Sequence, residues 1–311
     1  MSIEELKLLQ SSIIRKNKTC NIIGLIVIGI VMSISTFGIL SSSSELHFSI
    51  ILLFIELIFS IIILSMIKSI VNGKNIKKFN KEFKNAFVLK SLHHFFDDIN
   101  YKPEKGFNKG YIQNLGMLNT GDKFNSNDYI SGTYKNIKFE QSDIHIEKKE
   151  EDEDENGNKE VAWETIFKGR LMIFEFNKKF KTDVQVLSNH FGANALIWNK
   201  KLSNVKMEDI DFNKHFTVYA ESEHDAFYIL TPHFMEKLKD ITKKLNCGVM
   251  FGFVDSRLHI AIYNSEDSFE YNVFKPINEQ EIEESIVKDI KLITNFVDEL
   301  NLDNNLFRRE V

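Results

Sequence analysis

Hydrophobic residues are concentrated in two long runs near the N-terminus, Asn21–Leu40 and Phe48–Ile67. Each run has about the 20 residues that a helix needs to cross a bilayer. Only the Ser-rich connector Ser41–His47 separates them, so the two helices must form a hairpin whose ends lie on the same side. The pattern predicts a transmembrane hairpin over residues 21–67, preceded by a polar segment over residues 1–20.

Basic residues flank this hairpin and are missing from its connector. Lys and Arg residues close to membrane ends tend to stay in the cytoplasm. The flanking cations are Lys7, Arg15, Lys16, Lys18, Lys68, Lys74, Lys77, Lys78, Lys81 and Lys84, whereas the connector has neither Lys nor Arg. We therefore expect two spans, with both termini in the cytoplasm.

Two alternatives to a transmembrane hairpin remain. The first run could be a cleaved signal peptide processed at Ser41–Ser44, although the apolar part of a signal peptide usually has about 7–15 residues. The two runs could instead form a buried helical hairpin in a soluble domain, although adjacent apolar runs of this length are rare there. The membrane hairpin agrees best with the lengths and with the charges.

Glu56 is an acidic residue inside the second run, about eight residues from its start. At about 1.5 Å per residue it lies some 12 Å deep, where a carboxylate costs several kcal/mol unless it is protonated or paired. Ser33 lies at the same depth in the first run, and Gly29 and Ser33 form a small-x-x-x-small pair that would let helices approach closely. We expect a protonated Glu56 that hydrogen-bonds to Ser33. The alternatives are an ion or proton relay and a contact with another membrane protein.

Two segments, one on each side of residues 101–276, have helical periodicity. Residues 68–100 carry apolar residues at helical spacing and predict a juxtamembrane helix that ends before Pro103. Residues 277–311 predict a C-terminal helix with an apolar stripe. That stripe either docks on a sheet or another helix, or forms a coiled coil.

The segment between these helices, residues 101–276, mostly alternates with a period of two, as strands do. Helix starts interrupt it at Ser222 and at Thr231-Pro232, where a capping side chain precedes helix-forming residues. The turn Asp255-Ser256 predicts a hairpin. The predicted fold class is therefore α+β: an N-terminal two-helix transmembrane hairpin, then a cytoplasmic, mostly antiparallel sheet with packed helices.

An acidic run, EKKEEDEDENGNKE at Glu147–Glu160, interrupts the strands. Its Asn156-Gly157 pair is a strong turn signal, so the run predicts a solvated hairpin tip. The alternative is a cation or partner site, although the ligand spacing of a calcium loop is missing.

Composition narrows the class of protein. The net charge of −5 comes from mixed Lys and Asp/Glu residues, which gives no reason to expect binding to nucleic acid. Cys20 and Cys247 lie far apart in the chain, so a disulfide framework is not expected, and this suits a reducing cytoplasm. The soluble part is long enough for a sizeable core.

Candidate chemistry is sparse. His93 and Asp97, and likewise His94 and Asp98, stand four residues apart, a spacing that on a helix suits a weak metal site and equally an ordinary surface contact. The sequence has no glycine-rich phosphate motif, no nucleophile elbow and no zinc-protease motif. We predict no cofactor, the sequence identifies no catalytic residue, and a non-enzymatic protein is favoured over an enzyme without being settled.

Several short motifs occur together in the soluble part. They are DYISG at Asp128–Gly132, FKGRL at Phe167–Leu171, FNKKF at Phe176–Phe180, FTVY at Phe216–Tyr219, Ala226 followed by YILTP at Tyr228–Pro232, and Met235-Glu236. With the two N-terminal runs, and over Tyr101–Phe274, the chain resembles a bacterial family of membrane proteins catalogued only as a domain of unknown function. The resemblance implies a bacterial source and an inner-membrane location, and it supplies no catalytic residue. Relatives are often encoded beside LemA-type membrane proteins, which implies a protein of that type as a partner.

Three functions agree with the sequence. The first is a membrane-anchored adaptor or scaffold that binds another protein. The second is an enzyme that acts on a lipid or another membrane-proximal substrate. The third is a transport or sensing component that works through Glu56. The lipid bilayer is an expected partner in all three.

Overall fold

The computed structural model of the chain describes residues 2–41, 46–96, 98–153, 159–176, 180–192 and 201–302. The chain divides into two compact units. One unit, called here the helical unit, combines Met1–Val88 with Glu270–Ile282. The other, called the sheet unit, combines Leu89–Phe269 with Glu283–Val311.

Two long helices dominate the helical unit, α1 at Ile3–Ser41 and α2 at Leu46–Phe83. Both are long and apolar enough to cross a membrane. Each helix extends well beyond its apolar run, so the polar residues 3–20 are also helical and α2 continues past the second run without a break. A short π-helical segment, Lys84–Val88, follows α2.

The segment Glu270–Ile282, called here the strap, packs on the polar ends of the two long helices. The Tyr271 ring stacks on the Phe83 ring with 5.0 Å between centroids. The Gln10 side-chain amide donates to the carbonyl oxygens of Val273, at 3.0 Å, and of Lys275, at 2.5 Å. The start of α1, the end of α2 and the strap therefore share one core.

The sheet unit contains the remaining regular elements. Its helices are α3 Leu89–Phe95, α4 Lys109–Leu115, α5 Ile210–His215, α6 Glu223–Ile229, α7 Pro232–Leu245 and α8 Glu279–Glu299, whose first turn belongs to the strap. Its strands are β1 Asp98–Lys102, β2 Lys123–Tyr134, β3 Ile137–Glu153, β4 Lys159–Glu175, β5 Val184–Ser188, β6 Ser203–Val205, β7 Phe216–Ala220, β8 Gly248–Val254 and β9 Arg257–Tyr263.

The nine strands form one sheet with the order β1-β2-β3-β4-β9-β8-β5-β7-β6. Each neighbouring pair is antiparallel, which confirms the predicted α+β class. The side chains of β4 alternate between two covered faces. Leu171 and Ile173 join the core that contains α4, whereas Phe174 on the opposite face packs against Phe296 of α8 at 6.3 Å between ring centroids.

Local signals for helix starts and turns are confirmed. Ser222 caps α6 and Thr231 caps α7, with Pro232 in the first turn. Asp255 and Ser256 both have positive φ in the turn that joins β8 to β9, as a tight hairpin requires. The C-terminal helix α8 buries its apolar stripe, so docking is confirmed over a coiled coil.

The predicted helix over residues 68–100 is wrong at its C-terminal end. Helix α3 ends at Phe95, and Asp98–Lys102 forms the edge strand β1. This segment pairs with β2, where Ile99 lies opposite Gly132, and Phe96 packs against Phe139 at 4.9 Å. Tertiary strand pairing therefore overrides the helical pattern of the sequence. The predicted turn Asn156-Gly157 lies outside the described residues, and the strand pairing reaches Glu153 opposite Lys159.

Candidate functional site

A group of buried polar side chains lies at the α8 face of the sheet. Its members, called here the Arg170 cluster, are Asp128, Asp143, Arg170, Ser268 and Asp289. The first four are almost completely buried, and Asp289 is about four-fifths buried. They come from β2, β3, β4, the segment after β9 and α8. The cluster joins distant parts of the chain inside the sheet unit.

Arg170 lies between two acidic residues. Its guanidinium donates to the Asp289 carboxylate through Nη2 and to the Asp289 carbonyl oxygen through Nη1, the latter at 3.3 Å. Its Nε lies 3.9 Å from Asp143 Oδ1 and has no hydrogen-bond acceptor among the described residues. The cluster is therefore mainly an internal ion pair that attaches α8 to β4.

The carboxylates of Asp143 and Asp289 also accept hydrogen bonds from the segment that follows β9. Ser268 donates to Asp143 through its hydroxyl, at 2.6 Å, and through its backbone N–H. The backbone N–H of Phe269 donates to Asp289 Oδ2 at 2.9 Å. Phe269 is the last residue of the sheet unit before the strap begins, so the cluster fixes the point where the chain leaves this unit.

Asp128 lies at a bulge of β2, where the register with β3 shifts between Asn127 and Ile130. Its φ of 54° is in the left-handed region, which Asp tolerates better than most residues. The Tyr101 hydroxyl donates to Asp128 Oδ1 at 2.5 Å, and the Asn127 amide donates to Oδ2 at 2.7 Å. The bulge thus turns a charged side chain inward and satisfies it.

Burial raises the pKa of Asp143 to about 7, and the nearby Asp128 carboxylate adds to the increase. Arg170 and the two donors of Ser268 act in the opposite direction, but they do not compensate for the loss of water. Asp143 therefore exchanges its proton close to neutral pH, the property expected of a general acid or base. In this cluster, however, hydrogen bonds and the Arg170 ion pair already engage the carboxylate.

His259 is buried on the opposite face of the sheet. It pairs across strands with Ile173, which belongs to the α4-face core. Burial, and next the positive charge of Arg257, lowers the pKa of His259 to about 4. The imidazole is consequently neutral at physiological pH and acts as a core residue.

Two cavities flank the C-terminal end of α7. One has a volume of about 710 Å³ and the other about 520 Å³. Asn246 and Cys247 line both of them. The larger cavity is also lined by His190, His215, Asp211, Glu236 and Lys239, and the smaller one reaches Arg170 and Asp289. Their volumes are in the range of small-molecule sites.

The charged groups of the larger cavity already interact with one another. Lys239 forms ion pairs with Glu236 at 2.7 Å and with Asp211 at 3.0 Å. These hydrogen bonds raise the pKa of Lys239 above its ordinary value. His215 Nδ1 lies 2.9 Å from the Asp211 carbonyl oxygen. The cavity offers polar groups to a ligand, but they are not organised around an activated nucleophile.

The structure gives Glu56 a different partner from the one predicted. Ser35 Oγ donates to Glu56 Oε1 at 2.7 Å, whereas Ser33 Oγ donates to the Gly29 carbonyl oxygen of its own helix. The two helices also approach each other closely at a different glycine from the expected one. A Cβ added to Gly24 would lie 2.2 Å from Leu64, whereas a Cβ added to Gly29 would meet no atom within 4 Å. Glu56 is thus hydrogen-bonded to the first helix, but to Ser35 and not to the expected Ser33.

The predicted metal candidates are only partly brought together. His93 and His94 lie in the last turn of α3, Asp98 begins β1, and Asp97 lies outside the described residues. The helical spacing between His94 and Asp98 is therefore lost. Across the described parts of the chain, no group of three or more His, Cys, Asp or Glu side chains is close enough to hold a metal ion.

Sequence reasoning missed Asp143, Arg170, Ser268 and Asp289. A signal was present for two of them. Asp143 and Arg170 occupy inward positions of strands whose other inward residues include Phe139 and Phe174, so a charged residue stands where the alternation predicts an apolar one. Ser268 and Asp289 give no such signal, because their roles depend on contacts made far along the chain.

No curated protein matches the chain. A similar solved structure is the crystal structure of the mycobacterial trehalose monomycolate transport factor A, TtfA, at 7% identity and a TM-score of 0.35. That alignment covers 71% of this chain and 94% of the other. A likeness of this degree carries no argument about function.

A family model confirms the resemblance found in the sequence motifs. The matched residues begin at 165 and end at 302, so they include Arg170, Ser268 and Asp289 but not the DYISG motif at Asp128–Gly132. The model is described as Protein of unknown function (DUF3137). Residues 165–302 of this chain therefore match a domain family, DUF3137, whose function is unknown.

Proposed function

We propose that this protein is a membrane-anchored cytoplasmic module that recruits a protein partner to the inner membrane. The anchor is the pair of apolar helices in the helical unit, and the recruiting part is the sheet unit. A LemA-type membrane protein is the partner that the family resemblance implies. Both termini lie in the cytoplasm in this proposal.

The exposed apolar surface of α1 and α2 carries the proposal. Large apolar side chains point outward along both helices, for example Phe37 at 76% exposed and Phe59 at 62%. Soluble proteins rarely leave continuous apolar surfaces of this extent in water. A bilayer accommodates them, and each helix satisfies its own backbone hydrogen bonds there.

The core of the helical unit supports an arrangement with both ends on one side. Gln10, near the start of α1, hydrogen-bonds to the strap, and Phe83, at the end of α2, stacks on Tyr271 of the strap. These contacts agree with a topology in which the start of α1 and the end of α2 emerge on the same side of a membrane. Two spans give that topology and a single span does not.

Exposed aromatic residues on α6 support the adaptor role. Phe227 and Tyr228 keep 42% and 45% of their surface exposed. Aromatic residues of this kind are enriched where proteins bind one another. The Arg170 cluster, in contrast, bonds its charges internally, which suits a stabilising role more than a catalytic one.

Photo-crosslinking tests the adaptor. A photoreactive phenylalanine analogue would replace Phe227 or Tyr228 in the full chain, and Lys243, exposed on the neighbouring helix α7, would be the control position. We expect both aromatic positions to crosslink one and the same membrane-associated protein, and the control to miss it. Equal crosslinking at all three positions would contradict partner binding at α6.

The cavity of about 710 Å³ favours a second candidate, an enzyme or binding module for a lipid or another membrane-proximal molecule. Cys247 lines this cavity and can report its occupancy. A bound molecule should slow alkylation of Cys247 by N-ethylmaleimide when the full chain, carrying Cys20→Ser, is mixed with total lipid extract. Unchanged alkylation of Cys247 would speak against a lipid in this cavity.

The hydrogen bond between Ser35 and Glu56 keeps a third candidate open, a transport or sensing component. Glu56→Gln preserves the size of the side chain and its acceptor oxygen but removes the ability to ionise. The adaptor should work normally with this substitution. A relay through Glu56 should fail.

A further inference from the structure

The exposed apolar residues of α1 and α2 between Ile22 and Val71 are called here the apolar belt. We propose that the cations beside this belt form a binding surface for the head groups of anionic phospholipids. This surface, called here the basic collar, consists of Arg15, Lys16, Lys18, Lys68, Lys74, Lys77, Lys78 and Lys81. The inference rests on the proposed membrane anchoring and adds to it a preference among lipids.

Charge is distributed very unevenly around the collar. The segments 11–20 and 68–81 contain all eight of these cations and no Asp or Glu. The whole chain has the opposite balance, with 39 basic and 44 acidic residues and a net charge of −5. The collar is therefore a locally positive surface on an acidic protein, and it attracts a negatively charged partner.

The lysines of α2 share one face of the helix. Lys74, Lys77, Lys78 and Lys81 follow the spacing i, i+3, i+4, i+7, which places side chains in one stripe. All four are exposed. Phe79 and Phe83, which are buried in the core of the helical unit, lie on the opposite face of the helix. The stripe thus points away from α1 and the strap.

The collar begins where the apolar belt ends. Ile70 is 77% exposed and Val71 is also exposed, and they are the last large apolar residues of the belt on α2. Lys74 follows Val71 by about 4.5 Å along the axis and Lys81 by about 15 Å, at about 1.5 Å per residue. Flexible lysine side chains reach several ångströms back toward a membrane surface, and its potential decays over about 8–10 Å.

Contacts between the helices bring the cations of α1 to the same level. Asn72 Nδ2 lies 3.4 Å from Asn17 Oδ1, and Asn72 is buried between the helices. Arg15, Lys16 and Lys18 surround Asn17 in the sequence, so they lie level with the start of the lysine stripe. The collar therefore surrounds the helix pair where it would leave the hydrocarbon.

Phosphate groups of lipids fit this surface better than an acidic protein segment does. The collar is continuous with the apolar belt, so a lipid can place its acyl chains on the belt and its phosphate on the lysines at once. A soluble acidic peptide would contact only the lysines.

Lipid binding to the full chain in neutral detergent tests this inference. Phosphatidylglycerol, phosphatidylcholine, inorganic phosphate and a polyglutamate peptide would be titrated separately, with bound molecules counted by native mass spectrometry. The test variant changes Lys74, Lys77, Lys78 and Lys81 to Gln and keeps the other four collar cations. The control variant changes Lys102, Lys105, Lys206 and Lys291, exposed residues of the sheet unit that line neither cavity, to Gln, so its net charge changes equally.

We expect phosphatidylglycerol to bind more tightly than phosphatidylcholine, and the test variant to lose roughly tenfold or more of that affinity. The control variant should bind as the unmodified chain does, and added salt should weaken binding only to the anionic lipid. Equal binding of the two lipids, an unaffected test variant, or equally tight binding of polyglutamate or inorganic phosphate would overturn the proposal.

The two proposals fail in different ways. A chain that does not insert into liposomes of any composition contradicts the membrane anchor itself. A chain that inserts equally well into pure phosphatidylcholine and into mixtures with phosphatidylglycerol, and that enriches neither lipid, keeps the anchor and contradicts only the basic collar.

Discussion

Asp143 and His259 lie on opposite faces of the same sheet, and burial moves their pKa values in opposite directions. Asp143 titrates at about 7 in the folded chain and His259 at about 4. Both residues are therefore neutral in the folded protein at about pH 5 to 6. The same cause, loss of water around the charged form, acts on an acid and on a base.

These two residues should contribute opposite pH dependences to the free energy of unfolding. Folded Asp143 keeps a proton that the unfolded chain loses between about pH 4 and 7, so its contribution to stability declines as pH rises through that window. Unfolded His259 takes up a proton below about pH 6.5 that the folded chain refuses down to about 4, so its contribution increases as pH rises. Each slope reaches at most about 1.4 kcal/mol per pH unit.

Single substitutions should separate the two slopes. Relative to the unmodified chain, Asp143→Asn should gain stability as pH rises from 4.5 to 6.5, because the declining contribution is gone. His259→Leu should lose stability over the same interval. Urea unfolding of the detergent-solubilised full chain at pH 4.5, 5.5 and 6.5 measures both, with exposed Asp240→Asn as the control. Parallel pH profiles for all the variants would refute the assignment.

Helix α8 combines an apolar stripe with one buried charged anchor. Its residues Ile286, Ile290 and Ile293 are buried, and Asp289 bonds to Arg170 and to the backbone N–H of Phe269. Near its C-terminal end, Asp298 forms a surface ion pair with Lys135 at 2.7 Å. One helix therefore offers a buried and an exposed acidic residue for comparison.

Asp289→Ala should destabilise the full chain by about 3 kcal/mol, because it removes the carboxylate that bonds directly to the buried Arg170 and leaves Asp143, at 3.9 Å from Nε, as its counter-charge among the described residues. Asp298→Ala should cost less than about 1 kcal/mol, as exposed ion pairs usually do. Chemical denaturation in detergent measures both. A similar loss for the two substitutions would show that the Arg170 cluster does not anchor α8.

Helices α1 and α2 approach one another closely at Gly24. A Cβ there would lie 2.2 Å from Leu64 Cδ1, whereas a Cβ on Gly29 would meet no atom within 4 Å. We expect Gly24→Ile to lower the melting temperature in detergent, by an overpacking cost of about 1–3 kcal/mol, and Gly29→Ile to change it little.

A second substitution tests whether the positions of Gly24 and Leu64 are in direct contact. Leu64→Ala should recover part of the stability that Gly24→Ile loses, because it removes the atoms with which the new side chain collides. If the effects of Gly24→Ile and Leu64→Ala were simply additive, the two positions would not be in contact.

Elements were predictable where a local signal agrees with the tertiary structure. The caps at Ser222 and Thr231, the turn at Asp255-Ser256 and the stripe of α8 depend on nearby residues, and all were predicted. β1 was not predicted, because its five residues become a strand only through pairing with β2. The Arg170 cluster was missed for the same reason, since Ser268 lies 125 positions from Asp143.

At the scale of the whole molecule, the chain crosses between its two units more than once. It leaves the helical unit after Val88, returns as the strap at Glu270, and enters the sheet unit again along α8 at Glu283. Both ends of the strap thus continue directly into the sheet unit along the polypeptide chain. The side chains of the strap, however, pack against α1 and α2. Cleavage within the strap would therefore break the covalent link between β9 and α8 inside a segment that packs on the polar ends of α1 and α2.

The proposed topology predicts which cysteines a membrane-impermeant maleimide can reach in intact cells. One variant keeps only Cys247, and another carries Ser44→Cys in the connector with Cys20 and Cys247 changed to Ser. We expect labelling of the connector cysteine in intact cells, and of Cys247 only after permeabilisation, since cations flank the two spans and are missing between them. Cys247 is half-buried, so labelling in permeabilised cells is its positive control. Labelling of Cys247 in intact cells, or a chain that alkaline carbonate releases from membranes, would remove the basis for a cytoplasmic module on a membrane anchor.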